Sequence, residues 1–109
     1  MTNFLQLAAA IIAVESGGND LAVGDGGRAI GAFQIHRGVV QDVNRIYKTQ
    51  FTHSEMTNRI KARLVFENYL TIYGRGKSTE ELARIWNGGP TGHKKSVTIN
   101  YWQKVKTRF

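Results

Sequence analysis

The sequence holds no cysteine, a single proline, only eight acidic residues in 109, and no apolar run long enough to cross a bilayer as a helix. The missing cysteines exclude disulfides and any thiolate metal site, and they fit folding in a reducing compartment. The apolar stretch "NFLQLAAAIIAV" has no lysine or arginine before it and no charged flank after a cleavable small-residue site. It therefore reads as a helix and not as a leader, and neither a cleaved signal peptide nor a transmembrane segment is expected. His36, His53 and His93 share no ligand spacing, so no metal and no cofactor is expected. Ser16 lacks an evident histidine partner, which disfavours a serine hydrolase. The glycine-rich segment matches neither phosphate-cradling loop pattern.

What is present suits one globular domain over residues 1–109, with 41 % hydrophobic and 10 % aromatic residues. Residues 3–16 place Leu5, Ala8, Ala9 and Ile12 on one helical face. Residues 17–35 carry six glycines and read as a loop or short hairpin, with strands near Leu21–Val23 and Ala29–Gly31. "RGVVQDVNRIYK", from Arg37, resumes a helical pattern through Val40, Val43 and Tyr47. Ser54 offers an N-cap for a long helix from about Glu55 to Tyr73, carrying Met56, Ile60, Leu64, Tyr69 and Ile72. Gly74 and Gly76 end it. Ser78 and Glu81 form a capping box ahead of Leu82, Ile85 and Trp86, and "NGGPTG" stops that helix. A last helix is expected over Thr98–Lys106, with Tyr101, Trp102 and Val105 inward. The fold class is α+β, mainly α, with a small β feature after the first helix.

The net charge of +7 and pI of about 10.1 would draw polyanions: nucleic acid, anionic membranes or the acidic polymers of a bacterial envelope. Charge alone does not choose among them, and a solvated basic face is the plainer alternative. Among the scarce acids, Glu15 ends an apolar helix just before a tight glycine turn. Burial there would raise its pKa, as a proton donor requires. Asp25, between Gly24 and Gly26-Gly27, should be wetter and suits an ionised second carboxylate, with Asp20 in reserve. Spacing alone favours a surface role for Glu15 and a turn role for Asp25. Trp86 beside Asn87-Gly88-Gly89 combines an aromatic face, an amide and bare backbone, which suits a sugar ring.

Four motifs in order, "ES" after an apolar helix, "GAFQI", "WNGGP" and "NYWQKV", resemble the lysozyme superfamily, above all goose-type lysozymes and soluble lytic transglycosylases. The resemblance runs from about residue 8 to 106. It implies a lysozyme-like fold with Glu15 as catalytic acid. It places Gly31-Ala32-Phe33-Gln34-Ile35 on the groove floor, in the position of the family's "G-L-M-Q-I". Trp86-Asn87-Gly88-Gly89 stands where the family has "Y-N-A-G", and Tyr101 matches the tyrosine that hydrogen-bonds the acid. "GDGGRAIGAFQI" is also similar to invertebrate-type lysozymes, in which an aspartate ahead of "G-x-F-Q-I" assists catalysis, here Asp25. Those relatives are rich in disulfides, unlike this chain.

The function implied is a muramidase that hydrolyses the β-1,4 bond between N-acetylmuramic acid and N-acetylglucosamine in peptidoglycan. Glu15, Asp25 and Tyr101 would be its catalytic residues, and Ser16, Gln34, Trp86 and Asn87 would touch substrate. The enzymatic alternative is a lytic transglycosylase forming 1,6-anhydro products. The non-enzymatic alternative is a silent basic module that binds walls or nucleic acid. The expected partner is a peptidoglycan glycan strand, met at the bacterial wall by a monomer with no nucleic acid and no membrane insertion. A phage lysin or virion-delivered protein fits that setting.

Overall fold

The structure is a computed structural model that describes residues 4–109. Asn3, where the first helix was expected to start, lies outside them. Helix α1 spans Phe4–Glu15 and buries Leu7, Ala8, Ala10 and Ile11. This corrects the expected inward face, because Leu5 is 58 % exposed and Ala9 faces solvent. The helix is apolar on nearly every side, so periodicity alone did not select the buried stripe. The chain leaves α1 through Gly17, whose φ of +63° is a left-handed conformation that glycine adopts without strain. The Ser16 and Gly17 amides both donate to the Ile12 carbonyl and close the last turn.

A two-stranded antiparallel hairpin follows: β1, Val23–Gly24, pairs with β2, Ala29–Ile30, in the register Val23 to Ile30 and Gly24 to Ala29. A tight 3-10 turn over Asp25–Gly27 joins them. The hairpin is tied back to the core at "GAFQI". Ile30 and Ile35 exchange both backbone hydrogen bonds across the turn, at 3.1 and 2.9 Å. Gly31 must be glycine there: its φ is +87°, and a Cβ would sit 1.9 Å from the Met56 carbonyl oxygen. Phe33, fully buried, reaches from this turn into the helical core and stacks on Phe66 with ring centroids 4.6 Å apart.

Helix α2 spans Arg37–Tyr47, as the pattern predicts, and buries Val40 and Val43, while Tyr47 is exposed. The single long helix expected from Glu55 is two elements. A 3-10 turn over His53–Thr57 is capped by Thr52 in a capping box with Glu55. Helix α3, Arg59–Tyr73, starts at Asn58, whose side chain accepts from the Lys61 amide. Ser54 is not its cap, and Ile60 and Leu64 are exposed. Helix α4, Thr79–Gly88, has the Ser78–Glu81 capping box and buries Leu82, Ala83 and Ile85. Two short 3-10 turns lead into α5, Ile99–Lys106, which buries Val105 and half-buries Tyr101 and Trp102.

The core is built on aromatic edges. Phe66 of α3 stands edge-on to Trp86 of α4 at 4.9 Å and to Phe4 of α1 at 6.5 Å, so one ring joins three helices and the hairpin turn. Truncating such a ring to alanine costs about 3–5 kcal/mol. No helix among the described residues is long and apolar enough to cross a membrane.

Candidate functional site

One groove gathers residues from four elements. Glu15 enters from the end of α1, Asp25 and Ala29 from the hairpin, His36 and Val39 from the start of α2, and Trp86 and Asn87 from the end of α4; Gln34 joins them from the connecting turn. Its volume is about 200 Å³. The two carboxylates come from unlike settings: one ends an apolar helix, the other sits on an exposed glycine turn.

Glu15 is half-buried, and the Tyr101 hydroxyl donates to its Oε2 at 2.8 Å from 86 residues away. Burial pushes the Glu15 pKa above its ordinary value, and the tyrosine hydrogen bond pulls it part of the way back. The same contact acts on Tyr101. Burial first, then the neighbouring carboxylate, raise its phenol well above the usual range, so it stays a donor. The pair can hold a proton at the groove and present it, or an accepting oxygen, to whatever enters.

Asp25 is held differently. Arg28 donates to its Oδ1 at 3.0 Å, and His36 Nε2 lies 3.4 Å from its Oδ2. Its side chain is 49 % exposed. Asp25 itself has φ +52°, an uncommon conformation for a residue with a side chain and one that aspartate tolerates better than most. Gln34 also has a positive φ, and its amide nitrogen donates to the Ala22 and Gly31 carbonyls. That leaves the side chain locked into the floor of the groove. A Cβ at Gly24 would meet the Gln34 Oε1 atom at 2.2 Å, so the glycine makes room for this amide.

Of the residues singled out in the sequence, Glu15, Asp25, Gln34, Trp86 and Asn87 line the groove, with Tyr101 behind Glu15. Ser16 and Asp20 do not line it. The Ser16 hydroxyl donates to the Ala32 carbonyl at 2.8 Å and bonds Ile12 and Gly18, so it ties the end of α1 to the "GAFQI" turn. Asp20 is paired with Arg59. Trp86 is more than a groove wall: its ring also packs on Phe33, Phe66 and Tyr69. His36 and Val39 were missed. The sequence singles out His36 only for metal ligation; its place directly after the "GAFQI" segment is the signal that sets it on the groove. Among the described residues no cluster of histidines and carboxylates could hold a metal ion.

The fold is a mainly helical α+β domain with its small sheet after the first helix and a groove between that sheet and α4. No family model and no curated protein matches the chain. Among solved structures it is similar to a chain in the crystal structure of Aeromonas hydrophila PliI in complex with Meretrix lusoria lysozyme. The identity is 29 % and the TM-score 0.81, over 94 % of this chain and 87 % of that one.

That complex pairs a lysozyme with an inhibitor and records recognition between proteins. It corrects the expectation of a muramidase, together with its transglycosylase alternative and the hydrolase and bacteriolytic roles. The physical reason the sequence misled is that an acid half-buried at a groove serves recognition as readily as proton transfer. A protein partner fits this finding, where a glycan strand alone had been expected.

Proposed function

We propose that the chain acts by recognition, as one member of an inhibitor–lysozyme kind of pair, and that it meets the other member at the groove between Glu15 and Asp25. The observation that carries this reading is the pairing of two unlike carboxyl groups on one groove. Glu15, with its raised pKa, can donate to a partner's carbonyl or hydroxyl. Asp25, held by Arg28 and His36, can accept from a partner's N–H. Trp86 adds an aromatic surface to the same groove, the residue type that most often anchors such contacts. The likeness over nearly the whole chain to a chain of such a complex supports the same conclusion. So does the order of the four motifs, which supports kinship of this groove with that of the lysozyme superfamily.

The test is calorimetric titration of the chain against each of the two proteins in that complex, Aeromonas hydrophila PliI and Meretrix lusoria lysozyme. A one-to-one complex with one of them is expected. Asn87→Trp, which fills the groove from an exposed position, should weaken it by about tenfold or more. No complex with either protein, or one indifferent to Asn87→Trp, overturns the reading. Clearing of a peptidoglycan suspension by the chain alone, abolished in Glu15→Gln, overturns it as well.

A second reading is that the groove takes a glycan strand of peptidoglycan at the bacterial wall, with the chain acting as a monomer. It is favoured by the side-by-side placement of Trp86 and Asn87, with the Gln34 amide on the floor. Soluble muropeptides should then shift the Trp86 indole N–H resonance, and unchanged spectra at saturating muropeptide would dismiss it.

A further inference from the structure

Next to the groove lies a second cavity of about 310 Å³, lined by Gly27, Arg28, His36, Arg37, Gly38 and His53. His36 lines both cavities, so the two adjoin at that side chain. The lining carries four basic side chains and no acid. The nearby Asp25 is already engaged by Arg28 and His36. The Arg37 guanidinium is exposed and makes no ion pair or hydrogen bond among the described residues.

His53 differs from the other three because it is only 9 % exposed. Its Nε2 lies 2.7 Å from the Ile35 carbonyl oxygen, which can only accept, so Nε2 carries the hydrogen and Nδ1 is the ring atom left over. Helix α2 begins at the same place. Its N-cap, His36, gives no side-chain hydrogen bond to the helix, and the first amides of a helix have no partner within it. Gly38 sits in that first turn. A Cβ there would meet no atom within 4 Å, so packing does not demand glycine, and its absence of a side chain leaves the backbone open to the cavity.

We propose that this cavity is a carboxylate subsite that receives an acidic side chain of the partner protein seated on the Glu15 groove. The partner's entry by that groove rests on the reading given above. An acidic side chain is the ligand that answers the lining: guanidinium groups and backbone amides hold a carboxylate through short charge-assisted hydrogen bonds. The +7 net charge of the chain would steer such a partner inward. The subsite also sets direction, because the partner must run from Asn87 past Asp25 to Arg37.

The probe is a hexaglutamate peptide titrated into the ¹⁵N-labelled chain by NMR, at low salt. Shifts concentrated on the Arg37 and Gly38 amides and the His53 ring are expected. Arg37→Glu, at an exposed position, should weaken binding by about tenfold or more, while Asn87→Trp, which blocks the groove, should leave it unchanged. Shifts spread over Lys104, Lys106 and Arg108 with no preference for the α2 end would overturn the proposal. So would muropeptides shifting the Arg37 and Gly38 amides where hexaglutamate does not, since the carboxylate would then be the wall's. The peptide does not need the groove, so failure here leaves the protein-partner reading standing, and failure of that reading leaves the subsite measurable.

Discussion

Glu15 and Asp25 face one groove, yet their surroundings have little in common. Glu15 is half-buried at the end of the apolar helix α1, and among the described residues its side chain takes one hydrogen bond, from the half-buried Tyr101. Asp25 stands half in water between an arginine and a histidine. Burial dominates at the first site and pushes the carboxyl toward its protonated form. At the second, the carboxylate is half open to solvent and accepts from Arg28. Two identical functional groups thus become a donor and an acceptor through placement alone. A groove with one of each can grip a partner's backbone, which presents both carbonyls and amides.

The largest way to break this contrast is to remove the turn on which the Asp25 side hangs. Gly31→Ala must relieve both a left-handed φ and a clash with the Met56 carbonyl. It should destabilise the fold by about 3 kcal/mol or more, read by denaturant unfolding. Next in size is Tyr101→Phe, which leaves the half-buried Glu15 without its donor. The expected cost is about 1–3 kcal/mol, with the Glu15 pKa moving further up, since the tyrosine hydrogen bond was what lowered it.

Glu15→Gln sharpens the comparison through pH. The folded pKa of Glu15 lies above its ordinary value of 4.5. Between those two values the native chain holds a proton that the unfolded chain has lost. The stability contributed by this proton is full below 4.5 and is lost as pH rises through the folded pKa. Unfolding midpoints of wild type minus Glu15→Gln should therefore fall as pH rises through that window, and a flat difference would show that the groove does not bury the acid. The smallest effect belongs to Asp25→Asn. Its ion pairs are exposed, and such pairs are worth about 0–1 kcal/mol, so the unfolding midpoint should scarcely move while partner binding weakens.

Local chemistry was legible in the sequence, and long-range choice was not. The Ser78–Glu81 capping box, the stop at Gly89 and the hairpin in the glycine-rich segment all depend on residues a few positions apart. The start of α3 was misread because both Ser54 and Asn58 are good caps. The choice between them rests on Thr52 and Glu55 closing a separate turn first. The buried face of α1 was misread because an all-apolar helix offers no polar side to point outward. At the site, the Glu15–Tyr101 contact came from family resemblance, since nothing in local spacing links residues so distant. Ser16 was misplaced because a serine beside an acid looks like a binding group, whereas its hydroxyl closes onto the Ala32 carbonyl. The function expected of the groove rested on the four ordered motifs and their family resemblance, and the likeness to a chain of an inhibitor–lysozyme complex redirects it.

The most direct test of the central claim is a ¹³C NMR titration of the Glu15 carboxyl in wild type and in Tyr101→Phe. A midpoint above the ordinary 4.5 in wild type, and higher still in the variant, is what burial opposed by a tyrosine hydrogen bond predicts. A wild-type midpoint at or below 4.5, unmoved by loss of the hydroxyl, would mean that the acid is fully wet and would contradict the account.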